Sequence, residues 1–238
     1  MNGGVSEATW ARYFDGDVVS LYVSPRHLRA HYTYIVDALQ PLLPSNRSFT
    51  LLDFGCGEAL ATPRLAETAA RLLLYDGSPV IRDRVHSRFG GLAGISVLDD
   101  DDYAALPDGS VDLVLVISVI QYVNDHDLKR MLADWRRLLA PDGALILGDV
   151  LPPGNTTFAD ISSLLRFALK NGFLWAALRG LATTAATDYP KLRRTLGLRS
   201  YDEAEMLARL RDAGFTASVA PRNVSPSPHR RTFIATPR

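Results

Sequence analysis

The segment 51–58 is the sequence feature that most constrains how this chain can fold. It has the character of a buried strand that runs directly into a turn containing Gly55 and Gly57. Glycine at these positions lets the backbone turn sharply and lets a ligand approach where a Cβ would collide. Thr62 suits a helix N-cap and Pro63 the first helical position, so the turn should lead into a helix. Strand, glycine turn and helix together predict a cofactor-binding βα unit.

Two acidic residues near this turn indicate that the cofactor contains a nucleoside. A nicotinamide fingerprint would have a third glycine where this chain has Leu60, preceded by Ala59. Asp53 interrupts the apolar strand, and Asp76 ends the next strand-like run. An acid at the tip of the second strand is placed to accept hydrogen bonds from ribose hydroxyls. Both S-adenosylmethionine (SAM) and NAD contain that ribose, so the acid alone does not choose between them.

Two segments in the middle of the chain favour SAM. Residues 102–116 contain an acid, a Leu-Pro pair and an Asp-Gly-Ser turn before a strand, and residues 138–147 contain a Leu-Ala-Pro-Asp-Gly turn before another. These motifs, in this order, resemble the fourth- and fifth-strand regions of class I SAM-dependent methyltransferases. The resemblance covers residues 49–150 and, more loosely, the C-terminal stretch. The departures are Ala59, where the family often has glycine, and Asp142, which replaces the usual first glycine of the second turn.

This resemblance implies which residues hold the cofactor. The glycine turn would face the amino acid portion of SAM, with Asp53 oriented toward its ammonium group, and Asp76 would hold the ribose. An acid in the run 99–102 would meet the adenine amino group, and Ser118 would lie beside the methionine portion. The residues so assigned are Asp53, Gly55, Cys56, Gly57, Asp76, Gly77, Asp102, Tyr103 and Ser118. For the acids, a structural role in a turn or helix cap stays open as the alternative.

The apolar pattern predicts an α/β fold with a Rossmann-like, doubly wound, seven-stranded sheet. The last two strands are joined by too short a link for a crossover helix, so they should form an antiparallel edge hairpin on a mostly parallel sheet. Ser200 and Glu203 have the spacing of a capping box before the last helix. The expected strands lie at about residues 49–54, 72–76, 95–98, 112–119, 144–150, 215–221 and 231–236.

The whole chain, 1–238, is interpreted as a single methyltransferase domain. N-terminal helices within residues 1–45 are expected to form a lid, and Tyr13, Phe14 and Tyr22 are candidates to cover the cofactor, with a plain packing role as the alternative. Helical residues 155–199 form an insertion after the fifth strand.

Three interpretations of this insertion remain open. It is an acceptor cap, a dimer contact, or an interfacial pair of helices in which residues 161–180 contact a membrane surface. An Asn171-Gly172 pair should divide it into two helices. No uncharged run reaches the roughly 18–20 residues needed to cross a bilayer. Monomer and homodimer are both compatible with the sequence.

The composition excludes several classes of function. Lys+Arg and Asp+Glu balance at 26 each, so no global basic field favours a nucleic-acid partner. The single cysteine, Cys56, permits no intramolecular disulfide and no cysteine-based zinc cage, and it fits a cytoplasmic protein. The first residues lack the basic and apolar regions of a secretory signal. No His/Asp/Glu cluster has metal-ligand spacing, so no metal is expected.

The expected activity is transfer of a methyl group from SAM to an O, N or C atom of a small or medium-sized metabolite, with S-adenosyl-L-homocysteine as product. Asp149, at the end of the fifth strand, and His126 are the candidate general bases, and His31 on the N-terminal helix ranks behind them as a core-edge or surface residue. Two alternatives stay open, namely a non-catalytic SAM- or nucleoside-binding scaffold and a nicotinamide-dependent oxidoreductase.

Overall fold

The computed structural model of the protein describes residues 22–154, 157–185 and 198–238. Tyr13 and Phe14, the aromatic residues expected in the lid, lie outside the described residues, as does the part of the insertion between residues 186 and 197. The part of the chain that is described forms one mixed sheet with helices on both faces.

The strands form a seven-stranded sheet in the order β3-β2-β1-β4-β5-β7-β6. β1 to β5 run parallel, whereas β7 pairs antiparallel with both β5 and β6. The predicted fold, including the antiparallel hairpin at the C-terminal edge, is therefore confirmed. The strands are β1 (Thr50–Phe54), β2 (Arg71–Tyr75), β3 (Ile95–Val97), β4 (Val111–Ile117), β5 (Leu139–Val150), β6 (Phe215–Val219) and β7 (Arg231–Pro237).

Helices cover both faces of this sheet. The principal ones in chain order are α1 (Pro25–Leu39), α2 (Thr62–Leu65), α3 (Pro79–Phe89), α4 (Asp100–Ala104), α5 (Asp125–Leu138), α6 (Thr157–Asn171), α7 (Leu174–Ala185) and α8 (Glu203–Asp212). Short 3-10 turns occupy Gln40–Leu42 and Ile120–Tyr122. No helix in the three described ranges is long and apolar enough to cross a bilayer.

Alternation along the central strands divides the core between the two faces of the sheet. In β4, Val114 and Val116 point to the face covered by α5 and α8, and Leu113 and Leu115 point to the face covered by α1 and α3. This period of two is what a strand buried on both faces requires. Trp135 of α5 is fully buried on the first face. A third, smaller apolar cluster joins α6 and α7 to α1.

Two predicted helix starts are wrong. Thr62 is not an N-cap: Ala61 occupies that position without a side-chain hydrogen bond, and the helix that follows is a single turn. Ser200 is not the cap of the last helix, because Asp202 caps it by accepting a hydrogen bond from the Glu205 backbone at 2.7 Å. Asp202 has the extended backbone of an N-cap, with φ of −73° and ψ of 166°, whereas Ala61 is already helical, so residue type alone does not decide where a helix begins.

Candidate cofactor and acceptor site

Parallel strands bring their carboxyl ends to one edge of the sheet, and the order of the strands reverses between β1 and β4 at this edge. Such a switch point opens a crevice for ligands. A cavity of about 280 Å³ occupies it. The glycine turn after β1, the tip of β2 and the end of β4 form one wall, and α1 forms the wall opposite.

The glycine turn is held against the tip of β2 and packs closely on the segment after β4. The Gly55 and Cys56 amides both donate to the Tyr75 carbonyl, at 2.8 and 3.1 Å. Gly55 has φ of +73°, and a Cβ there would lie 2.4 Å from Cγ2 of Val119. At Gly57, with φ of +53°, a Cβ would meet no atom within 4 Å. Gly55 is therefore required because a side chain there would collide with Val119. At Gly57 the absence of a side chain leaves the backbone accessible from the cavity.

Asp76 links the glycine turn to the start of α3. Its carboxylate accepts hydrogen bonds from the backbone amides of Gly57 at 3.0 Å and Ser78 at 2.9 Å. Burial raises the pKa of Asp76, and these two backbone hydrogen bonds act in the opposite direction because they favour the charged form. Asp76 and Gly77 both line the cavity. The carboxylate is thus prepositioned where a ligand with vicinal hydroxyls would meet it.

Asp53 is a buried carboxylate that lacks a compensating partner. Within the described residues, no group donates a hydrogen bond to its side chain or forms an ion pair with it. Burial, and next the negative charge of Asp76, raise the pKa of Asp53 to about 7. A buried charge without a partner is costly, so a ligand cation that enters this part of the cavity would be stabilised. This arrangement fits the ammonium group of SAM.

Asp102 and Tyr103 are not among the residues that line the cavity, so the structure does not bring them together with the other assigned residues. Asp102 takes part in a capping box at the start of α4: its amide donates to the Asp99 carboxylate at 2.8 Å, and its own exposed carboxylate accepts from the Asp99 amide. Tyr103 stacks on Tyr75 with ring centroids 4.5 Å apart and packs edge-on against Phe54. The capping alternative accounts for the acid, and aromatic packing accounts for the tyrosine. The remaining assigned residues, Asp53, Gly55, Cys56, Gly57, Asp76, Gly77 and Ser118, line the cavity.

Asp149 anchors a buried polar cluster behind the end of β4. Its carboxylate accepts hydrogen bonds from Ser118 Oγ at 2.7 Å, Arg230 Nη1 at 2.7 Å and Asn223 Nδ2 at 3.2 Å, and it also accepts from Ser225 Oγ. Ser118 and Asp149 both have left-handed backbones, with φ of 60° and 63°. The carboxylate is saturated with donors and does not line the cavity. This geometry argues against Asp149 as a general base and instead indicates a positioning role.

His126, the second candidate base, lies at the exposed start of α5. Its side chain is 88% exposed at the start of α5, where Nδ1 lies 3.4 Å from the Asp127 carboxylate. It is not among the residues that line the cavity, so its role as a base stays a prediction.

The wall formed by α1 and the residues before it contains three ionisable side chains, those of Tyr22, His31 and Tyr32. His31 lines the cavity, and its ring centroid lies 5.3 Å from that of Tyr22 and 5.6 Å from that of Tyr32. Burial lowers the pKa of His31 to about 4, with Asp149 raising it and Arg230 lowering it further. Burial also raises the pKa of both tyrosines. All three side chains are therefore uncharged near pH 7.

The sequence contained a pattern that places His31 on the side of α1 facing the sheet. His31 lies three residues after Leu28 and four before Ile35, on the apolar stripe that turns α1 toward the sheet. A histidine on a buried stripe is either a packed core residue or faces a cavity, and only the position of the sheet edge decides between them.

Comparison with known proteins identifies the domain. A family model described as "Methyltransferase domain" matches residues 52–147, which run from β1 to β5. Nodulation protein S of Rhizobium tropici is 31% identical over 98 residues, covering 41% of this chain and 41% of that protein. An uncharacterized methyltransferase of Mycobacterium bovis is 30% identical over 131 residues, covering 54% of this chain and 62% of that protein. The chain thus spans less than two thirds of the length of these curated relatives.

Solved structures agree in fold. A chain of the complex between the Haloferax volcanii Trm112 methyltransferase activator and a methyltransferase superposes with a TM-score of 0.61 at 16% identity, covering 97% of this chain and 95% of that chain. At this identity the similarity concerns the fold alone. Residues 52–147 are thus similar to a methyltransferase domain, and the described fold agrees with that of a solved methyltransferase structure.

Proposed function

We propose that the protein transfers the methyl group of SAM to an O, N or C atom of a small or medium-sized metabolite and releases S-adenosyl-L-homocysteine. The observation that carries this proposal is a single cavity with two chemically different walls. One wall holds Asp53 and Asp76 beside an open glycine turn, and the other holds His31 between Tyr22 and Tyr32. This arrangement supports a cofactor and an acceptor that bind side by side in one cavity.

The residues of the first wall fit SAM. Asp76 would accept hydrogen bonds from the ribose hydroxyls, Asp53 would face the ammonium group, and the absence of a Cβ at Gly57 leaves room for close approach of the ligand. When bound, SAM supplies an electrophilic methyl group on a sulfonium. The protein contributes mainly by holding the acceptor in line with that methyl group, and such orientation can account for about 7–11 kcal/mol of the barrier in favourable cases.

The second wall supplies a proton acceptor. An imidazole whose pKa lies near 4 is neutral at pH 7, so His31 has a free lone pair for a proton leaving a hydroxyl or amine of the acceptor. The negative charge of Asp149 favours the imidazolium that would then form. Asp149, held by Ser118 and Arg230, acts in this proposal as a positioning residue rather than as the base.

Calorimetric titration with SAM, S-adenosyl-L-homocysteine and NADH tests the proposal. We expect both adenosyl ligands to bind and NADH not to bind, and a screen of hydroxyl, amine and activated-carbon acceptors with radiolabelled SAM to identify the acceptor class. Binding of NADH alone would contradict the proposal. Adenosyl binding without transfer to any member of the acceptor screen would instead favour the non-catalytic scaffold.

Asp53→Asn should stabilise the ligand-free protein and weaken SAM binding. A carboxyl whose pKa is raised from 3.8 to about 7 in the folded state opposes folding once it is ionised. The free energy of unfolding of the Asn variant, relative to wild type, should therefore grow as the pH rises toward about 7 and stay constant above it. At pH 8 we expect this difference to be about 2–4 kcal/mol. Loss of the charge should weaken SAM binding by about 10- to 100-fold. Chemical denaturation and calorimetry at pH 5 and pH 8 measure both effects.

Asp112→Asn is the matched control for this substitution. Asp112 lies at the opposite end of β4, where its carboxylate accepts from the Thr50 amide at 2.7 Å, and an asparagine oxygen can keep that hydrogen bond. We expect its stability difference from wild type not to grow between pH 5 and pH 8 and its SAM affinity to be unchanged. If Asp53→Asn bound SAM as tightly as wild type, the assignment of Asp53 to the ammonium group would be wrong.

His31→Gln should reduce turnover while leaving cofactor binding intact. Removal of a positioned proton acceptor lowers kcat by about 100- to 10,000-fold. We expect the Kd for SAM to change little, because His31 lies on the wall opposite Asp76. The control is His27→Gln, one helical turn earlier, where the imidazole stacks on Phe173 at 4.8 Å. Equal kcat in the His31 and His27 variants, with the acceptor found in the screen, would refute a role for His31 in proton transfer.

A further inference from the structure

The hairpin formed by α6 and α7 exposes large apolar side chains to solvent. Phe158 and Leu169 of α6 are 78% and 68% exposed, and Trp175 and Leu178 of α7 are 84% and 41% exposed. Phe158 and Leu169 are eleven residues apart, which places them on the same side of α6 about three turns apart. Exposed apolar residues at such spacing mark a binding face rather than scattered surface positions.

The inner face of the same hairpin is firmly packed. Ala168, Phe173 and Ala177 are buried in a cluster that includes Ala30 of α1 and Val23, and Phe173 stacks on His27. A Cβ at Gly180 would lie 2.3 Å from Cγ1 of Val23, so α7 approaches this segment closely. These contacts fix the orientation of the hairpin. The exposure of its outer apolar side chains is therefore not a consequence of loose packing.

The hairpin and the adjoining start of α1 are also cationic. Five basic residues lie in residues 22–30 and 157–185, namely Arg26, Arg29, Arg166, Lys170 and Arg179. The same two ranges contain a single acid, Asp160, whose Oδ1 lies 3.4 Å from Nη2 of Arg230. The five basic side chains are exposed. Within the part of the chain that the structure describes, no carboxylate forms an ion pair with any of the five. Because Lys+Arg and Asp+Glu balance over the whole chain, this excess is local.

We propose that the outer face of the α6–α7 hairpin binds the surface of an anionic lipid bilayer. Tryptophan and other apolar side chains enter the boundary between headgroups and acyl chains, while flanking lysine and arginine side chains attract anionic headgroups. This assignment does not depend on the methyl-transfer proposal.

Charge favours a lipid surface over a second copy of the chain. A symmetric dimer through the hairpin would bring the same cationic face against itself, and the like charges would repel. A nucleic acid would use the cations and leave Trp175, Leu169 and Phe158 in solvent. A bilayer surface uses both the apolar side chains and the cations. The hairpin packs on α1, the helix that carries His31, so binding would bring the acceptor wall close to the lipid.

Co-sedimentation of the full chain with vesicles tests this proposal. We expect binding to vesicles containing 30 mol% phosphatidylglycerol in phosphatidylcholine, at least about 10-fold tighter than to phosphatidylcholine alone, and weakened by salt. Each cation near the surface contributes about a fivefold change in affinity, so Lys170→Gln with Arg179→Gln should weaken binding by about 25-fold. Leu169→Ser with Trp175→Ser should weaken it as well, through loss of apolar insertion.

Matched substitutions elsewhere on the surface serve as controls. Lys129→Gln with Arg222→Gln removes two exposed cations away from the hairpin, and Leu92→Ser removes an apolar side chain that is 52% exposed. These variants should bind anionic vesicles as wild type does, and all variants should keep wild-type thermal stability. The proposal is overturned if anionic vesicles fail to bind the wild-type chain, or if the controls lose binding equally. It is also overturned if ultracentrifugation shows a dimer that Trp175→Ser dissociates and vesicles do not bind.

Discussion

Asp76→Ala should abolish measurable SAM binding at concentrations that saturate the wild-type protein. The substitution removes a carboxylate that would accept hydrogen bonds from two ribose hydroxyls, and each hydrogen bond to a charged group contributes about 1.5–3 kcal/mol. It also frees the Gly57 and Ser78 amides that the carboxylate holds at 3.0 and 2.9 Å. We therefore expect a loss of affinity of at least about 100-fold, measured by calorimetry with SAM and with S-adenosyl-L-homocysteine.

Asp100→Ala is the control for this loss. Asp100 lies close by at the start of α4 and pairs with Arg82 at 3.0 Å and with the Tyr75 hydroxyl at 2.9 Å, but it does not line the cavity. Its removal should leave SAM affinity within about threefold of wild type, since exposed ion pairs contribute little. Thermal unfolding of the ligand-free variants separates lost binding from lost folding. A folded Asp76→Ala variant that still bound SAM tightly would show that the ribose is held elsewhere.

Asp149→Ala should be the most destabilising single substitution in this region. It would leave the buried guanidinium of Arg230 with only Asp160, at 3.4 Å, and would remove the acceptor of Ser118, Asn223 and Ser225. Breaking a buried ion pair from one side costs about 3–5 kcal/mol. Alanine is also poorly suited to the φ of 63° at this position. Urea denaturation at pH 7 measures the change in the free energy of unfolding.

A double-mutant cycle with Arg230→Met distinguishes the ion pair from the backbone effect. If the buried charge dominates, the double variant should recover about 1–3 kcal/mol relative to the sum of the single variants. Asp160→Ala, which removes the more distant partner of Arg230, should cost less than Asp149→Ala, because Arg230 keeps its pair with Asp149 at 2.7 Å. A cycle without coupling would mean that the left-handed backbone at residue 149, and not the charge pair, limits stability there.

The strand order and the cofactor wall were accessible from the sequence because their signals are local. The glycine turn follows a buried strand directly, Asp76 ends the next strand, and the link between β6 and β7 is too short for a crossover. Each of these features depends on residues close together in the chain and on the rule that parallel strands end at the same edge. The fold and the positions of Asp53, Gly57 and Asp76 could therefore be predicted.

The acceptor wall and the helix caps were not accessible in this way. Asp99 and Asp102 lie three residues apart in a run of four aspartates, and only the path of the backbone makes them partners in a cap instead of a ligand contact. Asp149 ends a strand at the correct edge, yet its carboxylate is turned toward Asn223 and Arg230, which are more than seventy residues later in the chain. Residue type and spacing carry no information about such long-range pairing.

The sequence by itself determined the sheet, its antiparallel edge and the glycine turn with its two acids, because hydrophobic periodicity and turn chemistry act over a few neighbouring residues. Only the tertiary structure decided which ionisable groups face the cavity. α1 brings His31 and Tyr32 to the cavity, while Arg230, just before β7, donates a hydrogen bond to the Asp149 carboxylate. Which ionisable side chain faces the cavity depends on contacts between segments that are distant in the sequence. Burial of each side chain and its pairing with other groups then determine its charge.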